Sequence, residues 1–198
     1  MEYGSRLRFA FIVFGGILLL VLSIWGVTSV ARRVIGTDDS KTTSTVKKTD
    51  LATYNKDSSF LRLTVEGPVV AAEKYQSYQI EVGQNYREIK IFSGYDKKVV
   101  SEQRYTNDSN AYEAFLKSLK QYRFTSKQDG YGDDETGYCP NGRRHVYELI
   151  DKSKNVMRTW NTSCGTGIGT FTGSGSNIRS LFKKQIPDFA KLTEKVSI

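Results

Sequence analysis

Histidine and cysteine, the side chains most often used for acid–base and nucleophilic catalysis, are scarce in this chain. His145 is the only histidine, and Cys139 and Cys164 are the only cysteines. A nucleophilic cysteine needs a base and an orienting third group within reach, whereas Cys139 and His145 would lie ~20 Å apart along a straight strand. We therefore predict a domain without catalytic activity, and the alternative is an envelope enzyme with a cysteine nucleophile.

Motifs for cofactors, metals and nucleic acids are missing or incomplete. A glycine-rich loop precedes a predicted helix, but the lysine of a P-loop does not follow it. Four carboxylates supply hard oxygen atoms for calcium without the spacing of an EF-hand loop: Asp129, Asp133, Asp134 and Glu135. A solvated turn is the favoured interpretation of that run. We predict no cofactor, no resident metal and no nucleic-acid partner.

Long apolar runs are absent except for one, residues 9–31, which carry no charge. At ~1.5 Å rise per residue, a helix of this length crosses the ~30 Å hydrocarbon core of a bilayer. The run therefore predicts a single-pass transmembrane helix of the signal-anchor type behind a short tail, residues 1–8. Ser29-Val30-Ala31 is a small-x-small triplet, so cleavage of a signal peptide after Ala31 is the alternative.

The two indicators of membrane orientation disagree. Basic residues near the span are more numerous after it than before it, which favours a cytoplasmic domain. The short tail and a cysteine pair suited to a disulfide favour the opposite side, because disulfides persist outside the cytosol. We predict a cell-membrane protein whose C-terminal domain is extracytoplasmic. A cytoplasm-facing assembly or regulatory subunit is the alternative.

A polar segment, residues 32–59, is rich in Thr, Ser, Lys and Asp, and such a composition predicts a flexible linker. Residues 60–198 then show the periodicities of an α+β domain. Short stretches of alternating apolar and polar residues predict strands, and two stretches of period 3.6 predict amphipathic helices. Together they predict an antiparallel sheet with two helices on one face.

The two halves of this domain share a pattern of strand, turn, strand, loop and helix. Ser109-Asn110, Phe115 and Lys117 recur 67 positions later as Ser176-Asn177, Phe182 and Lys184. This recurrence predicts a ββα unit that occurs twice.

The two cysteines flank the second predicted hairpin, and a bond between them would join the outer ends of its strands. Such a bond would contribute ~3 kcal/mol by restricting the unfolded chain. The segment from Trp160 to Cys164 also resembles the strand-end cysteine segment of sortases, which implies a nucleophile at Cys164. The histidine and arginine of that family have no counterparts at matching positions here. We predict the disulfide Cys139–Cys164.

Ligand binding is expected on loops that a rigid scaffold holds in place. The candidates are Arg143, Arg144, Gly165, Gly167, Gly169, Gly173 and Gly175. From residue 60 on, 21 basic residues against 16 acidic ones give a charge of +5, which suits an anionic partner at a membrane surface. Besides the bilayer around residues 9–31, the partners predicted are an anionic envelope polymer, an anionic lipid or another envelope protein. The predicted function is therefore a membrane-anchored binding or interaction domain of the cell envelope.

Overall fold

The computed structural model describes residues 49–198. The predicted tail, the transmembrane helix at 9–31 and the first part of the linker lie outside these residues. Within the described part, no helix is both long and apolar enough to cross a bilayer.

Six antiparallel strands form one open sheet in the order β4-β3-β2-β1-β5-β6. The strands are β1 Ser59–Glu66, β2 Gln76–Gly83, β3 Tyr86–Ser93, β4 Lys98–Thr106, β5 Arg144–Asp151 and β6 Lys154–Thr162. The predicted α+β class and antiparallel sheet are confirmed. The ββα repeat stays a prediction.

The helices are α1 Ser109–Gln121, α2 Gly175–Lys184 and the short α3 Phe189–Leu192, with 3-10 helices at Leu51–Tyr54 and Ala72–Lys74. Helix α1 begins after Asp108, whose carboxylate accepts hydrogen bonds from the backbone N–H groups of Asn110 and Ala111, both at 2.9 Å. This cap satisfies two of the backbone donors that a helix leaves free at its first turn.

The core lies between one face of the sheet and the helices α1 and α2. Phe115 and Phe182 meet edge to face, with ring centroids 5.1 Å apart, and so join the two helices over the sheet. The sheet contributes fully buried aliphatic side chains from alternate positions of its central strands: Leu61, Leu63, Ile80, Val82, Ile89 and Leu149. The alternation of strand side chains and the 3.6-residue stripe of each helix therefore meet in a single apolar layer.

Leu51, which falls within the predicted linker 32–59, is 2% exposed and belongs to the core. Its 3-10 helix is capped by Asp50, and the Asp50 carboxylate also accepts a hydrogen bond from Nζ of Lys120 at 3.2 Å. The packed part of the chain therefore begins before residue 60, because the buried Leu51 packs its 3-10 helix against α1.

The second face of the sheet carries a row of charges with one residue from every strand. In strand order, the row is Arg104, Glu88, Glu81, Arg62, Glu148 and Arg158. Arg62 lies at the centre and bridges Glu81 at 2.7 Å and Glu148 at 3.5 Å. This row is largely self-neutralised, so the face does not present an unbalanced charge of either sign.

Candidate functional site: a basic pocket at one end of the sheet

A pocket of about 240 Å³ opens at the end of the sheet where β1 finishes and β5 begins. Val65 of β1, Tyr78 of β2 and His145 of β5 form its sheet side, helix α2 forms a second side, and the segment from Phe189 to Ile198 forms a third. Strand β1 spans about 20 Å. The 3-10 helix that contains Leu51 comes before the first residue of β1, whereas the pocket lies at the last residues of that strand. The pocket therefore lies far from the point where the described chain enters the domain.

Three cationic side chains line this pocket: Arg143, Arg179 and Lys183. Arg179 and Lys183 are four residues apart on α2, so they project from the same side of that helix. Arg143 is the residue immediately before β5. Among residues 49–198, none of the three pairs with a carboxylate side chain, and none of the side chains lining the pocket is acidic.

Like charges lie close together in the pocket and shift the pKa values of its titratable groups. Burial lowers the pKa of Lys183, and the positive charges of Arg179 and Arg143 lower it further. The positive charges of the same two arginines also lower the pKa of His145. An anion placed here would relieve this repulsion, because each unit of negative charge interacts favourably with several cations at once.

His145 lines the pocket on the sheet side, here called the floor, and belongs to a polar cluster with Asn161 and Tyr147, which do not themselves line the pocket. The Nδ1 atom of His145 lies 3.2 Å from Oδ1 of Asn161, and the hydroxyl of Tyr147 donates to the same oxygen at 3.4 Å. Nη1 of Arg179 donates to the Tyr147 hydroxyl at 3.2 Å. Burial, followed by the charge of Arg179, lowers the pKa of His145 to about 4, so this ring is neutral at pH 7.

Gly175, the first residue of α2, makes room for this cluster. A Cβ at that position would lie 2.9 Å from Nη1 of Arg179, 2.9 Å from Nδ2 of Asn161 and 3.2 Å from the Tyr147 hydroxyl. The absence of a side chain there allows Arg179 to fold back over the start of its own helix. Of the five glycine candidates, Gly175 is the one in contact with the pocket's polar groups.

The segment at the end of the sequence is held at the rim. Nη2 of Arg143 donates to the main-chain oxygen of Ile198 at 2.7 Å. The backbone N–H of Ser197 donates to Oε1 of Gln76 at 2.6 Å. Gly67 permits this approach, since a Cβ there would lie 2.9 Å from Cγ2 of Ile198. Arg143 therefore already holds an oxygen acceptor supplied by the chain, as Arg179 does with the Tyr147 hydroxyl.

The predicted disulfide Cys139–Cys164 is confirmed, with Cα atoms 5.6 Å apart. It lies beside the pocket, because the residue before Cys164 is hydrogen-bonded to the residue before β5. The backbone N–H of Arg143 donates to Oγ of Ser163 at 2.8 Å, and the backbone N–H of Ser163 donates to the Arg143 carbonyl at 2.9 Å. The bridge therefore helps to fix the backbone that carries Arg143.

Arg143 and Arg144 are neighbours in the sequence, but the structure does not bring them together. Arg144 is 5% exposed and lies on the other face of the sheet, where its Nε atom is 3.2 Å from Oε2 of Glu66 and Nη2 donates to the carbonyl of Gly67 at 2.9 Å. Consecutive strand residues point to opposite faces, so only Arg143 reaches the pocket.

The other glycine candidates are explained by backbone packing or by an open loop. A Cβ on Gly169 would collide with the carbonyl of Trp160, and one on Gly173 would collide with the carbonyl of Arg123. Gly167 has a positive φ of 80° and no neighbour within 4 Å of a Cβ position. Gly165 contacts only the side chain of Ile168. These four lie outside the set of residues that lines the pocket.

The carboxylates of the acidic run point to different partners. Nζ of Lys127 lies 2.9 Å from Asp133, and Nη2 of Arg158 lies 2.6 Å from the buried Glu135. Asp134 accepts a hydrogen bond from the backbone N–H of Thr136. In the described range of 49–198, no group of three or more His, Cys, Asp or Glu side chains is arranged to hold a metal ion.

Sequence reasoning missed Arg179 and Lys183, which carry most of the pocket's charge. The sequence pattern that could have indicated them is a pair of basic residues at i and i+4. Each of the two follows directly after a residue of the apolar stripe, Ile178 or Phe182. A basic pair beside such a stripe points along the edge of the helix, where it can border a cavity. Asn161 and Tyr147 gave no comparable signal.

The groups that line this site can bind oxygen atoms with negative charge. No model of a known protein family matches the chain, and no curated protein matches it either. The functional conclusion is therefore drawn from the pocket, whose three cations and neutral hydrogen-bonding floor are suited to oxygen atoms with negative charge.

Proposed function

We propose that this protein is a single-pass membrane-anchored protein whose folded domain binds an anionic component of the cell envelope in the basic pocket. The observation that carries the proposal is the group of three cations, Arg143, Arg179 and Lys183, around a cavity whose lining has no acidic side chain. A fixed cluster of like charges in a concave site raises the local concentration of counter-charged ligands.

The position of the pocket supports a role in binding a partner presented from outside the domain. Residue 51 falls within the predicted linker 32–59, and the pocket lies at the other end of β1 from that residue. The disulfide supports an oxidising compartment. Binding rather than catalysis is proposed, because the sulfur atoms of both cysteines are engaged in that bond.

Two polyanions of different chemistry test the function: poly(glycerol phosphate) and polyglutamate, each offered to the full-length protein in nanodiscs of neutral lipid. We expect at least one of them to bind, and we expect Lys183→Gln to weaken binding about tenfold by removing one charge-assisted contact. Lys184→Gln is the matched control, because Lys184 is an exposed neighbour on the same helix that does not line the pocket.

If the two lysine variants weaken binding equally, binding depends on the general charge of the domain. That result would contradict binding in the pocket. Absence of binding to both polyanions would contradict the function as a whole. Neutral dextran serves as the control for adsorption to the nanodisc.

Protease treatment of intact cells tests the proposed location. The domain should be digested from outside in intact cells if it is extracytoplasmic. Protection of the domain until the cells are lysed would instead support the cytoplasm-facing alternative.

A further inference from the structure

Arg143 already holds a main-chain oxygen atom, that of Ile198, at 2.7 Å. A guanidinium group offers five N–H donors in a planar fork and is suited to two acceptors at once. The structure therefore shows both a site for oxygen acceptors and the acceptor that occupies part of it.

We propose that the pocket is a phosphate-binding site in which a phosphate oxygen takes the position on Arg143 that the main-chain oxygen of Ile198 now holds. This inference rests on the proposed function and names the chemical class of its ligand. The phosphate group is a monoester that belongs either to a lipid headgroup or to a soluble molecule, and the experiment below separates these sources.

The charge of the site favours phosphate over carboxylate. Arg143, Arg179 and Lys183 supply three positive charges, and among the described residues no carboxylate side chain balances them. A phosphate monoester carries a charge of about −1.5 to −2 at pH 7 and three acceptor oxygens, whereas a carboxylate carries −1 and two oxygens. The dianion therefore compensates more of the charge and provides one oxygen for each cation.

The walls of the pocket suit a phosphate that is attached to an organic group. The pocket's volume of about 240 Å³ exceeds that of one phosphate group, and its lining also includes the apolar side chains of Val65, Phe189 and Val196. A bare inorganic ion would leave these side chains uncovered. An ester with a short carbon chain, such as glycerol phosphate, can contact them while its phosphate group contacts the cations.

The hydrogen bonds that hold Ser197 and Ile198 beside the pocket explain how the exchange on Arg143 can take place. The Ile198 segment is held by two hydrogen bonds, one to Arg143 and one from the backbone N–H of Ser197 to Gln76. Gln76 does not line the pocket, so its substitution loosens the segment without removing a ligand contact. When Ser197 and Ile198 move away, the Arg143 guanidinium gains a free donor for phosphate.

Glycerol 3-phosphate and acetate, added to the full-length protein in neutral nanodiscs at pH 7.5, test the ligand class. The chain has one histidine, so a histidine-selective NMR label reports on the floor of the pocket alone. We expect the His145 signal to shift with glycerol 3-phosphate, and the apparent affinity to be at least about tenfold higher than that for acetate. Equal affinity for the two anions would overturn the phosphate assignment.

Two variants test the exchange on Arg143. Gln76→Leu should tighten the binding of glycerol 3-phosphate about threefold, since one hydrogen bond of the competing segment is lost. Lys183→Gln should weaken it about tenfold, and Lys184→Gln should leave it unchanged. Unchanged or weaker binding by Gln76→Leu would overturn the exchange with Ile198.

The source of the phosphate is decided by comparing two monoesters, soluble glycerol 3-phosphate and vesicles that contain phosphatidic acid. The source is the ester that binds most tightly, provided that Lys183→Gln weakens its binding. Binding of polyglutamate with no binding of any phosphate ester would overturn this inference and leave the proposed function standing. Absence of binding to every anion would overturn both.

Discussion

Nδ1 of His145, a residue that lines the basic pocket, lies 3.2 Å from Oδ1 of Asn161. That oxygen also accepts from the Tyr147 hydroxyl, so Nδ1 satisfies it best when it carries the hydrogen atom of the neutral ring. Burial and the nearby Arg179 lower the pKa of His145 to about 4. The ring is thus held neutral in the folded domain.

This pair predicts a loss of stability on acidification. The unfolded chain binds a proton at His145 near pH 6.5, whereas the folded domain does so only near pH 4. The free energy of unfolding should therefore decrease as the pH falls from 6.5 to 4, by up to about 3 kcal/mol. Urea unfolding of the full-length protein in detergent between pH 7.5 and 4.5 measures this slope.

His145→Gln should flatten that slope, because glutamine does not titrate. A slope of the same size in the variant would assign the pH dependence to other groups.

Arg62 should contribute more to stability than exposed ion pairs do. It contacts both Glu81 and Glu148 in the charged row, and its side chain is 27% exposed. Glu81 also lies opposite Glu88 in the register of β2 and β3. Arg62→Met should therefore lower the free energy of unfolding by about 2 kcal/mol, since it leaves two largely buried carboxylates without their shared cation.

Lys117→Met is the control for Arg62, because Lys117 pairs with Glu113 on the exposed side of α1. We expect it to cost no more than about 0.5 kcal/mol. Equal costs for the two variants, measured by urea unfolding, would show that the central position of Arg62 adds nothing.

Gly169 and Gly167 should differ in their tolerance of a methyl group. Both have a positive φ, 115° and 80° respectively, but a Cβ on Gly169 would collide with the Trp160 carbonyl, whereas a Cβ on Gly167 has open space. Gly167→Ala should cost about 1–2 kcal/mol from backbone strain alone. Gly169→Ala should cost at least about 3 kcal/mol, because it combines strain with overpacking.

Thermal unfolding of the two alanine variants makes this comparison. If Gly169→Ala were as stable as Gly167→Ala but failed to bind glycerol 3-phosphate, Gly169 would be a ligand residue rather than a packing residue.

The bond between Cys139 and Cys164 should be present in the protein isolated from cells. Thiol titration of the denatured, unreduced protein should find no free thiol, and reduction should lower the free energy of unfolding by about 3 kcal/mol. Two reactive thiols in the freshly isolated protein would support the cysteine-enzyme alternative and a reducing compartment.

Local periodicity was enough to predict the strands, the helices α1 and α2, and the apolar stripe on each helix. These patterns are readable from sequence because a strand alternates every two residues and a helix repeats every 3.6. The disulfide was also predictable, since the chain has only two cysteines and they flank one hairpin. The role of Leu51 was not, because a single apolar residue in a polar segment has no periodicity.

The composition and order of the residues determined an apolar run at 9–31, a polar segment after it and a basic α+β domain. Only the tertiary structure placed β5 beside β1 and α2 over the start of β5, which brings Arg143, Arg179 and Lys183 around one cavity. It also separated Arg143 from Arg144 and aligned one charged residue from each strand in a row. Strand order and register decide these contacts, and neither is encoded in the spacing of residues along the chain.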